Sequence, residues 1–215
     1  MANNNNRPTY IGMREMDEIT SNRAGIPALL AQLYSDHTQL LELLTALDHY
    51  LDRFQDCQSG AENLELLLAG LDYINTYPEK WHHPSESLLL EKLRERTTEK
   101  DIVDESLLAH NALVDQGKMC WQLFNSVANG CIVGRDQLVG CTRTFISEYR
   151  SHINQETAEL FPHLLMVFGP DDWQEVERIT PEISSALNKL MKQDYEQTRE
   201  YVVSGMKREA AAENP

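Results

Sequence analysis

Residues 30–54 read LAQLYSDHTQLLELLTALDHYLDRF. Leu30, Leu33, His37, Leu40, Leu44, Leu47, Leu51 and Phe54 recur at steps of three and four, the period of one helix face. A histidine stands inside that apolar stripe, and the pattern returns three times downstream. Asp56-Cys57-Gln58-Ser59-Gly60 breaks the first helix. A second is expected over about 61–95, with Leu64, Leu67, Leu71, Ile74, Pro78 and His82 on one stripe. Pro84 lies inside it and removes one backbone hydrogen bond, so the spacing predicts a kink there, not a stop. Thr97 or Thr98, followed by Glu99 to Asp101, reads as a capped helix start. Val103, Leu107, His110, Val114, Gly117, Trp121 and Phe124 form the third stripe, which Asn129-Gly130 closes. The fourth helix starts near Gly134 and carries Leu138, Cys141, Phe145, Glu148 and His152. It ends around Phe168-Gly169-Pro170, with another kink at Pro162.

Helices of roughly 30 residues are ~45 Å long, and short connections make successive helices antiparallel. The expected fold is all-α: an up-down-up-down four-helix bundle over residues 26–170. Residues 1–25 are polar and weakly patterned, which predicts a flexible N-terminal segment. Residues 171–215 form a C-terminal helical extension. It comprises a short helix over 173–179, a longer one over about 181–206 and a frayed tail from Ala210. The longer helix is either a homodimer contact or a cover over the bundle.

The chain has 215 residues, which suits one domain with extensions. Hydrophobic residues make up 41 %, enough for a sizeable core. Lys and Arg number 19 against 34 Asp and Glu, a formal charge of −15. That balance argues against nucleic acid and anionic membrane surfaces as partners. No apolar stretch is long enough for a transmembrane helix, and the polar N-terminus does not resemble a secretory signal. Cys57, Cys120, Cys131 and Cys141 show no CxxC spacing. They read as reduced thiols in a cytoplasmic protein.

Four of the seven histidines fall on core-facing stripes, although histidine is only intermediate in burial. The pattern HxxxE occurs twice, as His82/Glu86 and His152/Glu156. Positions i and i+4 share a helix face, so each pair can converge on one metal. The pairs alone carry little, because glutamate is common enough for chance to supply nearly one. Their arrangement carries more. His37 lies 45 residues before His82, and His110 lies 42 before His152. Each half is therefore a helix with one histidine, a turn and a helix with HxxxE, an internal repeat of a helical hairpin. In each hairpin the two histidines stand nearly equally far from the turn. Two hairpins bring His37, His82, Glu86, His110, His152 and Glu156 into one interior. Four imidazoles and two carboxylates exceed what one zinc needs. With both glutamates bridging and a solvent-derived bridge, two ions each receive five ligands and keep one open position. The mixture of imidazole and hard oxygen suits iron or manganese. Ferritin-like bundles use mostly glutamate in Glu-x-x-His order, which these positions do not show. His83 points about 100° from His82 and reads as surface or supporting. His49 reads as solvated, and His163 as too far along its helix to join the site. Glu148 either orients a ligand or is exposed, and Tyr73, Tyr77, Trp81 and Trp121 read as core.

Four segments carry a resemblance to the hemerythrin-like, or HHE cation-binding, family. They are Ser35-Asp36-His37, His82-His83-Pro84-Ser85-Glu86, Leu108-Ala109-His110, and His152-Ile153-Asn154-Gln155-Glu156 followed by Leu160-Phe161-Pro162. The resemblance spans about residues 26–168. It implies a non-haem centre of two iron ions, oxo- or hydroxo-bridged, that binds or senses O2, NO or peroxide in oxidative or nitrosative stress. The oxygen carriers of the family have a second histidine where this chain has Val114, and an aspartate where it has Glu156. The chain is closer to members linked to nitrosative stress and iron–sulfur repair. The alternative it implies is a di-iron enzyme that reduces NO or peroxide or delivers iron for such repair.

Overall fold

The computed structural model describes residues 26–56, 60–98, 100–179 and 186–213. The N-terminal segment expected over 1–25, the middle of the first turn, Glu99 and the expected start of the last helix lie outside the described residues. Every regular element described is helical, with no strand among them. Helix α1 spans Ala28–Gln55 and α2 spans Ala61–Tyr77. A π-helical turn, Pro78–His82, joins α2 to α3, His83–Arg96. Helix α4 spans Lys100–Ala128 and α5 spans Arg135–Gln155. A second π-helical turn, Glu156–Leu160, leads into α6, Phe161–Val167. Helices α7, Pro170–Ile179, and α8, Ala186–Glu213, complete the chain. Helix α8 runs to Glu213, so the tail expected from Ala210 is helical to that point.

At the two prolines expected to kink their helices, the hydrogen bonding changes. Proline has no N–H, so Pro84 and Pro162 leave the carbonyls four residues upstream without their donor. In both places the preceding residue bonds five residues back. The His83 N–H donates to Pro78 O, and the Phe161 N–H donates to Glu156 O. Such π turns cluster at functional sites. Thr97, one of the two residues expected to cap α4, closes α3 with its N–H on Leu93 O at 2.8 Å.

Helix α1 packs on α2 and α5, and α4 packs on the same two. Asn75 Nδ2 donates to Gly117 O at 3.0 Å across α2 and α4. A Cβ on Gly117 would meet Asn75 Oδ1 at 2.4 Å, so glycine permits this approach. Arg150 pairs with Asp48 and Arg143 with Asp52 across α1 and α5. Helix α8 covers α1 and α2. Tyr50 donates its hydroxyl proton to Val202 O at 2.7 Å, and Val202 and Val203 join the core. The extension is thus a cover over the helices. Among the described residues no helix is long and apolar enough to cross a membrane.

Two apolar clusters fill the interior. One runs from Leu40 and Leu44 through Tyr77, Trp81 and Leu113 to Ile153. The other gathers Leu30, Leu33, Tyr34, Leu89, Val103, Leu160 and Leu164. Along α1, the α2–α3 run, α4 and the α5–α6 run, the histidines and glutamates of interest lie in sequence between members of the two clusters. The polar site therefore occupies the seam between them.

Candidate metal centre

All six expected side chains meet at that seam. His37 is 0 % exposed, Glu86 and Glu156 1 % each, and His82, His110 and His152 no more than 6 %. Burial of six ionisable groups is costly unless they are paired or hold a metal. Among the described residues, potential ligand atoms of His37, His82, Glu86 and Glu156 lie within 4.8 Å of one another. Those of His110, His152 and Glu156 do so as well.

The two carboxylates span both groups. Glu86 Oε1 stands 3.2 Å from His37 Nε2 and 3.2 Å from His82 Nε2. Its Oε2 stands 3.3 Å from His110 Nε2. Glu156 mirrors this, with Oε1 at 3.2 Å from His110 Nε2 and 3.3 Å from His152 Nε2. Its Oε2 lies 3.4 Å from His37 Nε2. The pairs match too, with ring centroids 4.9 Å apart for His37 and His82 and 4.8 Å for His110 and His152. Ligands about 2.1 Å from one ion at right angles stand about 3.0 Å apart. These edges are therefore close to those of a coordination polyhedron. Glu86 Oε2, Glu156 Oε2 and both ring nitrogens of His152 are buried without a hydrogen-bond partner. Buried polar atoms are rarely left so, and the donor set fits a metal.

Neighbours orient the imidazoles. His37 Nδ1 lies 2.9 Å from Thr157 Oγ1, and its ring stacks on Phe161 at 5.0 Å. With Nδ1–H donating to the hydroxyl, Nε2 turns its lone pair inward. His82 Nδ1 lies 3.5 Å from Asp36 Oδ2, and Asp36 Oδ1 accepts from Tyr77 at 3.1 Å and Gln32 at 2.8 Å. Ser106 donates to Glu156 Oε1 at 2.6 Å. This contact has no counterpart on Glu86 among the described residues, so the two halves are not identical.

The metal-free electrostatics follow from burial and charge. Burial opposes protonation of His82, but Glu86 and Asp36 outweigh it and push the pKa up to about 10. His110 rises to about 9 against burial, through Glu156 and Glu86. Burial takes His152 down to about 4. Glu156 falls to about 2 despite burial and the nearby Glu86, because His152, His110 and His37 favour its anion.

His83 is buried, which corrects the surface alternative. Its Nδ1 lies 2.6 Å from Glu79 Oε1, and its ring stacks on His110 at 4.3 Å with an 18° tilt. Its Nε2 is buried without a hydrogen-bond partner, and potential ligand atoms of His83, Glu86 and His110 lie within 4.8 Å of one another, so His83 is a further candidate donor beside its contact with His110. Glu148 is exposed and accepts from Gln116, which removes it as a ligand orienter. His49 is half-buried and pairs with Glu209 at 2.7 Å. His163 Nε2 lies 3.1 Å from Thr97 Oγ1, away from the site. The Tyr149 hydroxyl is buried and has no hydrogen-bond partner. Burial, then the charges of Glu86 and Glu156, hold its proton on.

Sequence reasoning missed the supporting roles of Asp36, Ser106 and Thr157. Only Ser106 carried a signal, four residues before His110 and so on the same face. Comparisons of the chain with protein-family models, with curated proteins and with solved structures find no match.

Proposed function

We propose that the chain is a hemerythrin-like, up-down-up-down four-helix bundle that holds two iron ions and binds or senses O2, NO or peroxide. The observation that carries this reading is the reach of the two carboxylates. Each turns one oxygen to the His37/His82 pair and the other to the His110/His152 pair. A single ion would leave one pair of imidazoles without purpose, whereas two ions would use every donor. The contacts across α1 and α5 support the antiparallel order, because Arg143 meets Asp52 while Arg150, further along α5, meets Asp48, earlier on α1.

Iron ions held there would supply one-electron chemistry and an open position for a small ligand. The chain's own residues do the rest. Asp36 and Thr157 fix the faces that His82 and His37 present, as partners of metal-bound imidazoles do. Ser106 holds one oxygen of Glu156. The apolar clusters on either side exclude water, and Tyr149 offers a hydroxyl with no acceptor in the protein to a small polar guest.

Metal analysis of the purified protein with absorption spectra in air and under NO tests the reading. The expected result is two irons per chain, an oxo-bridge charge-transfer band in air and a spectral change under NO. His110→Ala should lower the iron content and abolish the band. Protein without iron, or iron that neither absorbs so nor answers NO, overturns the proposal.

A further inference from the structure

Outside the candidate metal centre, the described residues include a second cluster of reactive side chains. Cys120 on α4 and Cys141 on α5 place their sulfurs 3.7 Å apart. Cys120 is fully buried and Cys141 is half-buried. The contact follows the helix register. From His110 to Cys120, α4 advances ten residues, and from His152 to Cys141, α5 retreats eleven. The cysteines therefore face each other at one level, ~15 Å along the helices from the metal centre. The helices also approach closely there. Gly117 lies one turn before Cys120, and a Cβ on it would meet Phe145 Cζ of α5 at 3.1 Å.

We propose that Cys120 and Cys141 are a peroxide-reactive dithiol that closes to a disulfide between α4 and α5. Cys141 is the less buried of the two residues, so it is the site of first attack. Its sulfur takes an oxygen from the peroxide, ROOH, forming Cys141–SOH and releasing ROH. The Cys120 sulfur then displaces that hydroxyl. The S–S bond forms, and the Cys120 proton leaves with the hydroxyl as water. The two thiols together give up two electrons, and the peroxide takes both. A dithiol reductant reverses the bond by exchange. The burial that pushes the Cys120 thiol up to about 12 keeps this sulfur unreactive toward outside reagents. It reacts only with a partner already in contact. The disulfide would join the two helices that carry His110 and His152.

The test uses the full chain with Cys57→Ser and Cys131→Ser, which leaves only this pair. Circular dichroism first establishes that the variant is folded. Hydrogen peroxide is then added, free thiols are trapped, and intact mass is measured. The expected product is lighter by about 2 Da, with free thiols falling from two to none and a peptide linked through Cys120 and Cys141. Dithiothreitol should restore both thiols. The same linkage after chelation and dialysis would show that it does not depend on the proposed iron. Wild-type protein, treated likewise, should yield the same linked peptide. Stepwise gain of oxygen on Cys141 without a linked peptide, or two thiols still free after treatment, overturns the proposal.

Discussion

The two oxygens of Glu156 stand within 3.4 Å of His37, His110, His152 and Ser106. Its replacement therefore acts on both halves of the site at once. Glu156→Gln keeps the size but removes the charge that two ions would share, so both should be lost together. Metal analysis should give well under one iron per chain, whereas one iron fully retained would contradict the bridging role. The metal-free protein also has a defined pH response. His82 and His110 hold protons to about 10 and about 9 in the folded state, against about 6.5 unfolded. The stability they contribute is complete below pH ~6.5 and is lost as pH rises through those values. Glu156, held down to about 2, contributes stability above about 4.5 that is lost on acidification. His152, lowered to about 4, makes the unfolded chain take up its proton first, so it too weakens the fold as pH falls below ~6.5. The Tm of metal-free protein should therefore peak near pH 6.5 and fall on both sides. Loaded metal has already expelled the imidazole protons, so it should flatten the alkaline limb. A metal-free Tm that stays constant from pH 6.5 to 10 would refute this account. The six central residues were legible in the sequence because their spacing repeats. Asp36 and Thr157 were not, because their roles depend on where a ring nitrogen points, which spacing does not encode.

At the scale of the element, the two π-helical turns are the least regular parts of the helices, and both touch the site. His82 closes the first, and Glu156 opens the second. The prolines were legible as points where regular helix is interrupted. The turns were not located by them, since the carbonyl that proline strands lies four residues upstream and the chain can respond in several ways. Here the response sets the rotation of one ligand-bearing segment against the next, since an added residue in a turn re-aims the face that follows. Pro84→Ala restores the donor that a regular helix would use. The substitution should leave helicity by circular dichroism unchanged and Tm equal or higher, because proline in a helix interior costs about 3 kcal/mol. Metal affinity, measured by chelator competition, should fall at least ~10-fold, the lower end of what misplaced supporting groups cost. Unchanged affinity in a stable variant would mean that the turn does not aim His82 and Glu86.

At the scale of the molecule, the existence of α8 was expected from the sequence, but its seat was not. A helix with one apolar edge fits a second copy or its own bundle equally well on paper. The seat on α1 and α2 depends on long-range fits: Tyr50 hydroxyl on Val202 O, and Gly205, where a Cβ would meet Tyr50 Oη at 2.5 Å. The six central residues lie on the other elements, so α8 stabilises the site only through the helices it covers. Ending the chain after Ile179 exposes the surface under Val202 and Val203, each worth about 1.5–3 kcal/mol when buried. It also deprives Tyr50 of its acceptor, a loss of about 1–3 kcal/mol if the hydroxyl stays buried. These losses together approach the lower part of the ~5–15 kcal/mol that holds a typical domain. Bound metal adds stability by mass action, so it should decide whether the shortened chain folds. We expect the full chain to remain folded after chelation with a reduced Tm, and the shortened chain to unfold cooperatively under the same treatment and refold on adding ferrous iron. Circular dichroism during chelation reads both. A shortened chain that matches the full chain in metal-free Tm would show that α8 contributes nothing to the fold of the bundle.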